Sequence, residues 1–545
     1  MIYIVIFSAW MAILLSGGSL PMKQKVDLIV KNGTIYTVDP QNSVAGAMAI
    51  HRGKILAVGT QTMISSQYES EKVLDCTGKF IFPGFIDAHC HFYGYALGLQ
   101  YIDLFGCTSF KEVLERLKRD RRKEPGKWIV GRGWDQNLWE EKIFPDNSLL
   151  NELFPDVPVM LIRVDGHVVL ANETALKEAG LGISNRYPGQ VEIKNGRLTG
   201  ILSEKAADLM RETVPEVSGE ELTGLLKTAE HNCFAVGLTT VGDAGLEFHQ
   251  VEIVDSMQKS GALKMNIYGM LTPTQQNLKR FVEHGIFLTD RLSIRSVKIY
   301  ADGSLGSRTA RLKKAYSDDP SATGIIVTSP DSIRQLCEIA YRNGYQVNTH
   351  CIGDSACSLI LKIYGEFLKG KNDLRWRIEH AQVVDPVDLH MFGDYSVIPS
   401  VQATHATSDM KWAGDRLGPV RVKGAYAYKD LMRQNGWIAN GTDFPIENIS
   451  PLQTFYAAVA RKDLKGYPIE GYQTENSLTR EEALRSVTIW AAKANFMEKS
   501  KGSLEIGKDA DFVILDQDIM QIPTLNVPTT ASLQTFIMGE AVHHK

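Results

Sequence analysis

A marked excess of charge of either sign is missing from this chain. Its 59 Lys and Arg against 63 Asp and Glu leave a formal net charge of -4, which supplies neither a basic field for nucleic acid nor an acidic tail, so no polyanion partner is expected. Cysteine is also scarce. The seven, Cys76, Cys90, Cys107, Cys233, Cys337, Cys351 and Cys357, are odd in number and scattered, with no C-x-x-C pair, which excludes a disulfide scaffold and a thiolate zinc site. The apolar run at residues 2–15 is too short to span a bilayer comfortably, no Lys or Arg precedes it, and residues 14–18 lack the cysteine that a lipoprotein signal needs for its lipid. Residues 1–21 therefore read as a signal for export, periplasmic or extracellular, the alternative being a cytoplasmic enzyme that starts at Met22.

What remains is ordinary globular composition, 44% hydrophobic and 22% charged over 545 residues. That length exceeds one compact core of usual size, and one large barrel with a smaller satellite domain accounts for it. After Val26 come short strand-like runs separated by Lys31-Asn32-Gly33 and by Arg52-Gly53, both hairpin signals. Similar short strands return near the other end, at 502–504, 507–515 and 532–538. The two termini are expected to build one composite β-sandwich domain from 22–80 and 500–545. Between them, eight apolar runs alternate with helical stretches, at 85–89, 238–243, 264–270, 296–300, 346–350, 376–380, 397–403 and 437–443. This predicts an α/β fold, a (β/α)8 TIM-type barrel over 81–499. Nearly 150 residues separate the first two runs, with a strand-like stretch at 156–163 and a helical one at 206–211. A subdomain inserted at about 98–225 is expected over the barrel mouth.

The first run ends in His89-Cys90-His91. Alternation along a strand sends both imidazoles to one side, and imidazole is the commonest metal ligand among side chains. Taken alone, the pair is as well explained by two histidines meeting by chance. Lys298, His350, His380 and Asp443, however, also stand at or near the ends of predicted strands, and a parallel barrel brings all such ends to one rim. Cys90 and Cys351 neighbour these positions, and alternation turns them away from the rim into packing. Trp139, Trp412 and Trp490 are read as packing residues as well.

The sequence resembles the amidohydrolase superfamily, within it the YtcJ-like branch that includes N-substituted formamide deformylases. The resemblance rests on residues 82–91, on 298–310, on Thr349-His350, on Glu379-His380-Ala381, on residues 441–445 and on the tail at 507–515. It implies that His89, His91 and Asp443 hold one divalent ion, that His350 and His380 hold a second, and that Lys298 bridges them as a carbamate, with zinc the expected metal. A free ammonium repels a cation, whereas a carboxylated lysine is an anionic oxygen ligand. The alternative is a buried Lys298 paired with Asp302 and a single-ion site.

Such ions would supply hydroxide near neutral pH and polarise a carbonyl, while Asp443 passes the proton of the attacking water to the leaving nitrogen. The expected activity is hydrolysis of carbon–nitrogen bonds other than peptide bonds, in an amide or N-formyl amine. Hydrolysis of a cyclic amide, deamination, or a catalytically silent binding protein on the same scaffold are the alternatives. The partner is a small-molecule substrate, and a homodimer is possible. Asp302 and Arg308, in the loop after Lys298, would either orient a polar group or hold that loop by a salt bridge. Trp134 and His167, on the inserted segment, are candidates to face the substrate, with a hydrogen bond stabilising the loop as the other reading of His167.

Overall fold

The computed structural model describes residues 23–120, 128–184, 187 and 190–545. The expected signal at 1–21 and the alternative start at Met22 lie outside the described residues. Eight parallel strands form the centre: β1 (Phe85–Cys90), β2 (Leu238–Leu246), β3 (Asn266–Leu271), β4 (Leu292–Tyr300), β5 (Gln346–Cys351), β6 (Arg377–His380), β7 (Ile398–Val401) and β8 (Ala439–Asn440), hydrogen-bonded in that order. Each overlaps one of the eight runs read from the sequence. Those runs were legible because barrel strands are covered on both faces and so read as continuous apolar stretches; β1, β3 and β5 are buried at every residue. The helices cover the outer face. Helix Pro330–Arg342 shows why: Ser329 caps its first turn through the Ser332 amide, proline opens it, and Ile333, Cys337 and Ala340 form its buried stripe.

The barrel closes where β1 meets the segment after β8. The Asp443 amide donates to the His89 carbonyl at 2.8 Å, and the His91 amide donates to the Phe444 carbonyl at 2.8 Å. Asp87, two residues before His89, accepts the Thr442 amide at 3.1 Å and the Thr442 hydroxyl at 2.7 Å. Gly441 permits this approach, since a Cβ there would stand 2.6 Å from the His89 nitrogen and 2.6 Å from Asp87 Oδ1. The same junction that closes the barrel therefore sets His89, His91 and Asp443 side by side.

The termini share one eight-stranded sheet, in which Phe80–Pro83 pairs antiparallel with Phe512–Leu515 and the Phe512 and Phe536 rings stack at 4.3 Å. Arg52 and Gly53 both have positive φ, 52° and 74°, as a tight two-residue hairpin requires. The other expected turn is a correction. Asn32-Gly33 lies inside a single strand, Leu28–Tyr36, where the register shifts between Lys31 and Ile35. It forms a bulge rather than a hairpin, because Gly33 packs against Ile81, where a Cβ would come to 2.3 Å of that side chain.

Between β1 and β2 lies a six-stranded sheet that includes Ile129–Trp134, Val159–Arg163 and Arg197–Ser203, followed by helix Glu204–Thr213. It has an apolar core of its own around Leu104, Trp134, Leu161 and Leu170. Its side chains meet those of the barrel rim across one cavity of about 990 Å³.

Candidate metal centre and its cavity

Four histidines at the rim each have one ring nitrogen tied to an acceptor. His89 Nδ1 donates to Glu379 Oε2 at 2.6 Å, His91 Nδ1 to the Ala244 carbonyl at 2.8 Å, His380 Nδ1 to Gln402 Oε1 at 2.7 Å and His350 Nε2 to the Gly303 carbonyl at 3.1 Å. This pattern leaves a lone pair on the other nitrogen of each ring and fixes the ring's direction, which is how ligating imidazoles are held. The ligand atoms of His89, His380 and Asp443 lie within 4.8 Å of one another. His91 Nε2 is 3.2 Å and His89 Nε2 3.5 Å from Asp443 Oδ1, and that oxygen is buried without a hydrogen-bond partner. Lone pairs facing a carboxylate oxygen at such distances repel unless a proton or cation stands between them. The nitrogen and oxygen donor set suits a divalent transition metal. The residues present therefore fit a metal ion.

Backbone conformation points to the same place. His380, Ala381 and Asp443 have φ of 72°, 42° and 62°, a region that costs a non-glycine residue roughly 1–3 kcal/mol and persists where the surroundings enforce it. At His380 this ends β6 and turns the imidazole towards the rim.

Beneath the ligands runs a buried polar chain. Glu379, fully buried, accepts Arg377 Nε at 2.5 Å on its other oxygen, while Arg377 also donates to Asn495, to the Ala88 carbonyl and to Ser400. Burial alone would raise the Glu379 pKa, but the Arg377 charge and the hydrogen bonds from His89 and Arg377 outweigh it and hold the carboxyl well below its ordinary range. Asp443 is likewise held well below its ordinary range, the imidazoles of His91, His89 and His380 around it outweighing burial. Burial, then the neighbouring Lys298 charge, pulls His89 down to about 4. Lys298 itself is drawn by burial to about 8. Its Nζ lies 3.1 Å from His89 Nε2 and 4.9 Å from the Tyr300 ring, and among the described residues no carboxylate forms an ion pair with it. The alternative Lys298–Asp302 pair is thus not formed.

A family model described as the amidohydrolase family matches residues 72–543. The chain belongs to the amidohydrolase family. It is 31% identical over 522 residues to a protein of Bacillus subtilis strain 168 named as the amidohydrolase YtcJ, covering 94% of this chain and 98% of that one. It is 27% identical over 544 residues to the N-substituted formamide deformylase of Arthrobacter pascens, covering 95% and 98%. The crystal structure of a metal-dependent hydrolase from Pyrococcus horikoshii OT3 matches with a TM-score of 0.74 at 30% identity, over 91% of this chain and 99% of that one. With its family known and its rim described, the chain is a hydrolase with a candidate metal site at the mouth of a parallel barrel.

Around that site the amidohydrolase cavity draws on both barrel and insertion. Of the six residues expected as ligands, His91, Lys298, His350, His380 and Asp443 line its floor and His89 lies buried beside them: His350 and His380 rings are 4.6 Å apart, His89 and His380 rings 5.0 Å. Of the four residues expected to face substrate, the structure brings one to the cavity. His167 lines it, its ring 5.2 Å from that of His350 and its Nδ1 3.0 Å from Glu204 Oε2. Burial opposes a charge on His167, but Glu204 prevails and raises it to about 9.

The other three sit elsewhere. Trp134 is buried in the insertion's core, with Nε1 donating to the Leu161 carbonyl. Asp302 is buried with three backbone amides on its carboxylate, those of Ile352, Gly353 and Arg311. Arg308 grips Asp318 with Nε and Nη2, the loop-holding arrangement. Trp412, read as packing, packs against the barrel core and also lines the cavity. Glu379, beside the candidate ligand His380, carries no local mark of its role in the sequence. Nor does His405, in the helix after β7, whose Nε2 comes to 3.7 Å of Asp443 Oδ2.

Proposed function

We propose that this amidohydrolase cleaves a carbon–nitrogen bond other than a peptide bond, in an amide or N-formyl amine, at a centre held by His89, His91, His380 and Asp443, with His350 and a carboxylated Lys298 completing a two-ion site. The observation that carries the reading is the buried Asp443 oxygen, without a hydrogen-bond partner and facing ring nitrogens of His89 and His91 whose other nitrogens are each tied to an acceptor. The relationship over nearly the whole chain to an N-substituted formamide deformylase supports the substrate class.

A divalent cation such as zinc, when bound there, supplies Lewis-acid polarisation of a carbonyl and acidification of water. The chain's own groups account for the protons. Asp443 is held well below its ordinary carboxylate range, so near neutral pH it is ionised and can accept the proton of the water whose oxygen attacks the carbonyl carbon. It can then deliver that proton to the nitrogen as the carbon–nitrogen bond breaks, leaving a carboxylic acid and an amine. The His167 imidazolium, held charged by Glu204, faces the same cavity and can donate a hydrogen bond to the oxygen on which charge develops.

The test is to purify the full chain without chelator in bicarbonate, measure its metal content, and assay amine release from a panel of N-formyl amines, simple amides and cyclic amides. Bound divalent ion together with amine release from the open-chain compounds is the expected result. Release from the cyclic amides alone, or none from metal-replete protein, would overturn the assignment.

A further inference from the structure

Three arginines line the cavity: Arg132, Arg163 and Arg211. Arg163 is saturated, with Gln136 on Nε at 2.8 Å, Asp165 on Nη1 at 2.5 Å and Asp135 on Nη2 at 2.6 Å. Arg211 holds Asp208 at 2.6 Å and the Gly166 carbonyl. The guanidinium of Arg132 has no hydrogen bond and no ion pair among the described residues, and its Nε is buried without an acceptor. A guanidinium cannot shed its charge at neutral pH; burial and the nearby Arg211 bring this one down only to about 10. Arg132 is half-buried in the cavity wall, so its unpartnered fork is presented to what the cavity receives, and an anion there would satisfy it.

The surroundings hold this space open. Arg132 stands between Gly131 and Gly133 on strand Ile129–Trp134. The turn opposite presents Gly166 at φ 75°, where even a Cβ would come to 3.7 Å of Nη2 and 3.9 Å of Nη1. The nearby carboxylates are drawn to other groups: Asp165 to Arg163 and the Ser304 hydroxyl, Asp208 to Arg211, and Glu204, through Oε2, to His167. Asp443, at the metal centre, is close enough for its charge to act on Arg132. The free guanidinium and the reacting centre thus share one cavity.

We propose that Arg132 receives a carboxylate of the substrate, so that the compound cleaved is an N-formyl or N-acyl amino acid or a similar amide bearing a carboxylate. This rests on the hydrolase reading above. The planar fork of a guanidinium matches the two carboxylate oxygens. Asp165, Asp208 and Glu204 in the same wall favour a singly charged group over a doubly charged phosphate, which they would repel.

The experiment pairs binding with turnover, on the full chain and on Arg132→Gln and Arg132→Lys, each checked for folding by circular dichroism. Calorimetry compares 3-phenylpropanoate, 3-phenylpropanamide and phenethyl phosphate. Kinetics compare N-formylphenylalanine with N-formylphenethylamine, which lacks the carboxylate. The native chain should favour the carboxylate of each pair by about 30-fold or more. Arg132→Gln should abolish that ratio and Arg132→Lys should keep part of it. An unchanged ratio in Arg132→Gln, no preference in the native chain, or tighter binding of phenethyl phosphate overturns the proposal. Arg132-dependent carboxylate binding without hydrolysis of any compound supports the subsite and defeats the reaction assigned above. Hydrolysis without a carboxylate preference does the reverse.

Discussion

Replacing Glu379 by Gln changes one atom in a place water does not reach. The carboxylate takes His89 Nδ1–H at 2.6 Å on one oxygen and Arg377 Nε–H at 2.5 Å on the other. Glutamine keeps the shape but offers one acceptor, so its amide nitrogen must confront one of the two donors. If Arg377 keeps the oxygen, His89 relieves the clash by moving its proton to Nε2, the nitrogen that faces Asp443 and Lys298. Removing one member of a buried charge pair costs about 3–5 kcal/mol. Loss of a carboxylate that orients a ligating histidine lowers metal affinity or activity about 10- to 100-fold. Urea denaturation reads the first effect, and competition with a chelator on folded protein reads the second.

The pH dependence carries a sign of its own. Because the folded-state pKa of Glu379 lies below its ordinary 4.5, its stabilisation is complete above about pH 4.5 and fades as pH falls through the depressed value. Glu379→Gln should therefore flatten the acid limb of the stability curve. A variant that matches the native chain in denaturation midpoint, metal affinity and acid limb would refute the role assigned to this residue.

Gly441→Ala places a Cβ against His89 and Asp87; overpacking of this kind costs about 1–3 kcal/mol, and both thermal stability and metal content should fall, whereas retention of both would contradict the closure described. Lys298→Ala should reduce the metal content, by elemental analysis, from about two equivalents; an unchanged content would mean that the lysine bridges nothing. His167, with its pKa raised to about 9, contributes stability that is complete below about pH 6.5 and lost as pH rises through about 9. Glu204→Gln should move the alkaline limb of kcat/KM to lower pH, and an unmoved limb would rule His167 out. Arg308→Ala removes a partly exposed ion pair with Asp318, costing no more than about 1 kcal/mol; a large rise in KM would return Arg308 to substrate binding.

The barrel, and the candidate ligands that meet at its rim, were legible in the sequence because both leave local marks: apolar runs for strands buried on two faces, and a polar residue at or near the C-terminal end of several. What was not legible is direction. Glu379 adjoins His380 on β6, and regular alternation would send them to opposite faces. The left-handed backbone at His380 turns its imidazole towards the rim, while Glu379 reaches the rim through His89. Trp134, Asp302 and Arg308 were singled out for their chemistry, yet each is engaged by a neighbour distant in sequence or by a local carboxylate, and spacing says nothing of such contacts. The Asn32-Gly33 bulge was misread because the partner that makes it a strand, Phe80–Pro83, lies more than forty residues on.

The Asp87–Thr442 contact joins residues 355 apart in the chain. On a ribosome adding roughly 5–20 residues per second, the first barrel strand waits roughly 20–70 s for its last neighbour. Throughout that interval one long edge of β1, with two histidines at its tip, has no backbone to pair with, and unpaired edges recruit other chains. Newly made copies should be most vulnerable to aggregation and to metal scavenging late in synthesis, and a chaperone or slower translation should matter most once the segment before Gly441 has emerged.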